Sequence, residues 1–253
     1  MRQNTALAKW RRGEPTIGAW LSLANTHVAE LMAGAGFDWV CVDLQHGLID
    51  YADLTHMLPA ISTTEVTPIV RVTYNDPPQI MKVLDAGAMG VIVPMVNNRA
   101  EAAAAVACCK YPPDGARSFG PTRAALYGGR NYATEANDQI ACIAMIETQQ
   151  GLDNLEAIVA TPGLGAVYIG PADLALSLGL PARGDTDEPR HLAAVDKILA
   201  ACKRQGVPAG IHTGGLEWSR RRLAMGFDFV TLGSDAGFLM QAASADLAAI
   251  RAG

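Results

Sequence analysis

The chain has 253 residues, 50% hydrophobic and 18% charged, which is enough to bury one large core, so a single domain over 1–253 is expected. A net charge of -5 with no run of Lys or Arg argues against nucleic acid or an anionic membrane surface as partner. The densest basic cluster, Arg220 to Arg222, reads as a solvated helix face. Residues 1–13 carry Arg2, Lys9, Arg11 and Arg12 without the apolar segment of a signal peptide, and no later window reaches the roughly 18 apolar residues of a membrane span. Five cysteines without CxxC spacing fit reduced thiols, and a cytoplasmic location is expected.

In chain order, 16–22 reads as a first strand and 25–35 as a helix that Asn25 or Thr26 can cap. A joint then appears that recurs: AGAGFDWVCVD at 33–43, LAMGFDFVTL at 223–232 and, more loosely, DAGAMGVIVP at 85–94. In each, a helix ends on small residues and Gly, and a β-branched run follows at once. Repeated joints of this kind mean βα units and a parallel sheet. Strands are predicted near 37–43, 68–71, 90–94, 140–146, 166–169, 208–211 and 229–233. Helices are predicted near 52–62, 77–86, 99–110, 151–159, 171–177, 191–205, 216–225 and 238–250. With the first strand that gives eight units, so the fold class is α/β, a (β/α)8 TIM barrel. Two polar connections, 111–138 and 178–189, are too long for simple joints, and both are read as walls or lids of the barrel mouth.

The chain is organised around two apolar runs that end in a carboxylate, IACIAMIE at 140–147 and IGPAD at 169–173. A single strand-end carboxylate is more often a helix cap than a ligand. Glu147 and Asp173 together, with no Cys or His beside them, suit a hard divalent cation that keeps positions open for a chelating substrate. In a barrel, Asp43 and His46 of DLQHG and Arg71 of VRV reach the same face. A 2-oxo acid can chelate such a cation, Arg71 can set positive charge against the keto oxygen, and His46 can carry the proton. Trp20 and His212 are assigned to the pocket lining.

DLQHG (43–47), VRV (70–72), LDAGAMGVIVPMV (84–96), YPPDGAR (111–117), MIET (145–148) and IGPADLALSLG (169–179) together resemble the HpcH/HpaI family of metal-dependent pyruvate aldolases over about residues 16–240. The resemblance implies reversible aldol chemistry on a 2-oxo acid donor and an aldehyde acceptor, with Mg2+ or Mn2+ on Glu147 and Asp173. It implies His46 as base, helped by Asp43 and by Asp85 of LDAGA. It further implies Arg71 as enolate stabiliser, and Gly170 and Ala172 as backbone ligands of the donor carboxylate. Met145 stands where some members carry Gln and Pro121 where some carry Ser, both read as pocket neighbours. A hexamer built as a trimer of dimers, with the last helix exchanged between subunits, is implied as well. Two rivals are a citrate-lyase or malyl-CoA-lyase-like enzyme and a phosphate-sugar barrel using Gly214–Gly215 and Gly233–Ser234.

Overall fold

The computed structural model describes residues 1–252. Eight parallel strands close into a barrel in sequence order: β1 (Thr16–Leu21), β2 (Trp39–Asp43), β3 (Thr67–Arg71), β4 (Gly90–Val93), β5 (Ala141–Ile146), β6 (Ala166–Ile169), β7 (Ala209–His212) and β8 (Phe229–Ser234). Ahead of them lies α1 (Thr5–Arg11). Between them run α2 (Thr26–Gly34), α3 (Tyr51–Ile61), α4 (Pro77–Asp85), α5 (Arg99–Cys109), α6 (Thr122–Gly128), α7 (Tyr132–Gln139), α8 (Gln149–Asp153), α9 (Leu155–Val159), α10 (Pro171–Ser177), α11 (Pro189–Gln205) and α12 (Leu216–Met225), with α13 (Asp235–Ala252) last. The predicted (β/α)8 barrel is the observed fold, and each predicted strand lies within two residues of its observed bounds.

Two apolar layers hold it. Aliphatic residues of the strands' outer faces pack on the helices, as Val40, Val70 and Val91 do beneath Leu54, Leu58 and Leu84. Inside, Trp39, Ile69, Ile92, Ile143, Tyr168 and Phe229 fill the barrel. Glycine makes room for the rings. A Cβ on Gly18 would lie 2.2 Å from the Trp39 ring, and one on Gly210 2.2 Å from Phe229.

The floor is α1, a seven-residue helix absent from the predicted elements because it is too short to show a period, with Ala6, Leu7 and Trp10 as its buried residues. Trp10 stacks on Phe229 at 4.2 Å while its Nε1 donates to Thr16 Oγ1 at 2.7 Å. The connection 111–138 is also corrected. It holds α6 and α7 and lies by the floor, where Arg2 N donates to Gly128 O at 2.8 Å and Asn4 Nδ2 to Gln139 O at 2.9 Å. The reason is directional: this segment joins a helix to the next strand, and such joints sit at the pole opposite the strands' C-terminal ends.

At the other pole, the Asp235 carboxylate accepts Ser22 N at 2.9 Å, Ser22 Oγ at 2.8 Å and Leu23 N at 3.1 Å. That clamps the end of β1 to the start of α13. Beyond it the helix runs out with Leu239, Met240, Leu247 and Ile250 exposed.

Candidate active site

β2 ends on Asp43 and β3 on Arg71, neighbours in register. Their side chains meet as a fork, Arg71 Nε donating to Asp43 Oδ1 at 2.8 Å and Nη2 to Oδ2 at 2.6 Å, both buried. Burial pushes the Asp43 carboxyl up, but the guanidinium outweighs it and the pKa lies below the ordinary aspartate value. Asp43 Oδ1 also accepts the N–H of Gln45 at 3.0 Å and of His46 at 3.4 Å, so the turn is wound around this carboxylate. Gly47 permits that winding, since a Cβ there would stand 2.3 Å from the Asp43 carbonyl oxygen. His46 is left exposed at the rim. Asp43 thus bonds the His46 backbone and holds Arg71, and no hydrogen bond between its carboxylate and the imidazole is present among the described residues.

Trp20 stands under the fork, its ring centre 5.1 Å from Arg71 Cζ, and meets the His212 ring edge-on at 5.1 Å. Burial, and then Arg71, push the His212 pKa down to about 4, so this ring is neutral near pH 7.

The acidic half follows β5 and β6. Glu147 is buried, and its Oε1 accepts Met95 N at 2.8 Å. Met95 has φ 56, a left-handed conformation unusual for a side-chain-bearing residue, and the bend it makes after β4 delivers that N–H. Glu147 Oε2 lies against Gly170, where a Cβ would come within 2.1 Å of it, so the close approach requires glycine. Burial raises the Glu147 pKa to about 7; the Asp173 charge adds to the rise, while the Met95 N–H and Arg71 oppose it. Asp173 sits exposed in the first turn of α10. No third His, Cys, Asp or Glu joins the two in a metal-holding group among the described residues. Pro171 opens α10, which leaves the Ala172 N–H without an intrahelical acceptor. Gly170 N instead faces Ile146 O at 3.4 Å.

His46, Arg71, Met145, Gly170, Ala172, Asp173 and His212 share one cavity of about 310 Å³, completed by Pro171, Gly184, Asp185, Thr213 and Gly214. The 178–189 connection is thus a wall of the mouth. A larger cavity, about 630 Å³, opens at the floor beside Trp10 and Lys110 and contains none of the predicted site residues. Asp85 does not reach the mouth. It ends α4, in the helix-to-strand half of its unit, and pairs with Arg117 Nη2 at 2.7 Å. Pro121 precedes α6 in the corrected 111–138 segment and is likewise away from this cavity, whereas Met145 lines it. Asp185 and Met95 were not singled out from sequence. The first had a signal in the length of its loop; the second had none.

Fold and site together define a (β/α)8-barrel enzyme with a pocket at the strands' C-terminal pole that His46, Arg71 and Asp173 line. The profile described as HpcH/HpaI aldolase/citrate lyase matches residues 16–242. The chain belongs to that family. It is 42% identical to a hydroxypyruvate/pyruvate aldolase of Rhizorhabdus wittichii, over 96% of this chain and 97% of the relative. It is 38% identical to a 4-hydroxy-2-oxo-heptane-1,7-dioate aldolase of Salmonella heidelberg, over 93% and 90%. A crystal structure of an HpcH/HpaI aldolase/citrate lyase family protein from Burkholderia cenocepacia superposes with a TM-score of 0.93 at 36% identity, covering 98% of this chain and all of that one.

Proposed function

We propose that this protein catalyses reversible aldol cleavage of 4-hydroxy-2-oxo acids, giving pyruvate or hydroxypyruvate and an aldehyde. The observation that carries the reading is the pocket lined by Arg71 and Asp173, with Asp43 bonded to Arg71 behind one and buried Glu147 close to the other. The names of the relatives support the same chemistry.

The donor set fits a hard divalent cation, Mg2+ or Mn2+. It offers carboxylate oxygens only, and one of the two carboxylates, Glu147, is buried, with a pKa that burial and then the Asp173 charge raise. Glu147 and Asp173 would hold the ion, which would supply Lewis-acid polarisation of the donor's oxygens. The chain's own groups do the rest. Ala172 N–H holds the donor carboxylate, and Trp20 and neutral His212 wall the donor in. His46 takes the proton of the 4-hydroxyl as the bond between carbons 3 and 4 breaks. Negative charge develops on the keto oxygen, where Arg71 opposes it, and a proton returns to carbon 3.

Neither rival gains support. A coenzyme A phosphate needs cations, and Arg71 is the only Lys or Arg lining the cavity. A phosphate on Gly214–Gly215 needs free amides, and Asp185 Oδ2 already takes the Gly214 N–H at 2.7 Å. Proton NMR in heavy water tests the proposal. Carbon 3 of pyruvate and of hydroxypyruvate should exchange when enzyme and Mg2+ or Mn2+ are both present; no exchange with either donor would refute it.

The assembly is read as a hexamer, a trimer of dimers exchanging α13. Its support is the row of exposed apolar residues on a helix that leaves its own barrel bare. Light scattering should give six times 26.6 kDa, and a mass of one chain at micromolar concentration would contradict it. A cytoplasmic location is supported by five free, buried cysteines. Among the described residues no helix is long and apolar enough to cross a membrane.

A further inference from the structure

The cavity has a second wall, opposite the donor groups, made by the connection between α10 and α11 and by the loop after β7. Asp185 is its charged residue. One oxygen accepts the Gly214 N–H at 2.7 Å, tying the two loops together across the mouth; the other is buried without a partner. No Lys or Arg forms an ion pair with it. Burial raises the Asp185 pKa above the ordinary aspartate value, opposed by the Gly214 N–H and then by Arg222, which lies behind it fully buried with its Nε and Nη2 also without partners.

The other charged residues of the cavity lie on its donor side. Arg71 is matched by Asp43, Asp173 belongs to the Glu147 side, and His212 is neutral. An aldehyde entering beside Thr213 and Gly214 therefore meets a wall whose one charged lining residue is Asp185, with Arg222 set behind it.

We propose that Asp185 sets the charge of the acceptor: the pocket takes neutral aldehydes and turns away those with a terminal carboxylate. The inference rests on the aldolase reading above, and its chemistry is like-charge repulsion in a partly desolvated site. In Asp185→Asn the repulsion goes, while the Gly214 N–H and the buried Arg222 still face the acceptor side.

The test is condensation of pyruvate with 4-oxobutanoate and with its methyl ester, a pair that differs by one charge, using metal-supplied full-length enzyme. The wild type should favour the ester by about 10- to 100-fold in kcat/KM, and Asp185→Asn should erase most of that factor. Both rates come from one protein sample, so the folded fraction cancels; Asp185→Ser replaces a variant that does not fold. A wild type that favours the anion, or a ratio unmoved in the variants, would overturn the assignment of Asp185 alone. Turnover of neither aldehyde would overturn the aldolase reading, and this one with it.

Discussion

Glu147→Gln is expected to abolish divalent-cation-dependent turnover, by about 1,000-fold or more, while the barrel stays folded. The magnitude follows from removing one of only two ligands of an ion asked for several kcal/mol of charge stabilisation. Stability supplies an independent readout. Burial and Asp173 raise the Glu147 pKa from 4.5 to about 7. A carboxyl raised on folding keeps a proton that the unfolded chain has lost. With the cation removed by chelator, the fold should therefore lose stability as pH climbs from about 4.5 to about 7, by about 3 kcal/mol at most. Gln carries no such proton, so the variant should lack that slope and be the more stable protein at neutral pH without cation. Thermal melts should show Mn2+ stabilising the wild type and leaving the variant unmoved. Full activity in excess chelator, or a Schiff base trapped on a Lys, would refute the assignment.

The second large effect separates His46 from Arg71 by the route to the enolate. From pyruvate or hydroxypyruvate the enolate forms by losing a proton from carbon 3, so a base is needed. From oxaloacetate it can form by losing carbon dioxide, with no proton taken from carbon. Both routes put negative charge on the same oxygen, and losing one preorganised donor costs roughly 100- to 1,000-fold in rate. His46→Ala should cripple aldol cleavage and exchange yet largely spare oxaloacetate decarboxylation; Arg71→Ala should impair all three. Arg71→Ala also strips Asp43 of its buried partner, which costs about 3–5 kcal/mol of stability. Arg71→Lys is the fair control, keeping the charge while losing the fork. Equal loss of both activities in the His46 and Arg71 variants would reassign His46 to binding or orientation.

The barrel was legible because each strand is an apolar run with a marked stop, and the stops at Asp43, Arg71 and Glu147, with Asp173 one turn into α10, are where polar side chains first reach the barrel mouth. Periodicity could find these and could not find α1, whose seven residues are too few to show a period. Asp85 shows another limit. Its motif is conspicuous, yet its place in the chain, at the end of a helix, already puts it at the wrong pole for a pocket in the same subunit's mouth. The 111–138 segment was misplaced for the same reason. Loop length points to the 178–189 segment but not to Asp185 within it, and nothing points to Met95, because their roles come from tertiary contacts, a bond to Gly214 29 residues on and a bend aimed at Glu147 52 residues on.

The seam between β1 and β8 has a consequence for synthesis. Thr16 pairs with Phe229, Trp10 stacks on that same Phe229, and Asp235 fastens Ser22. The first strand to leave the ribosome thus finds its second neighbour only after more than 200 further residues are made. Until then the sheet has two bare edges, each able to recruit a foreign strand. A nascent chain stalled before residue 229 would expose Trp39 and Tyr168 along an unclosed interior, a surface that chaperones bind.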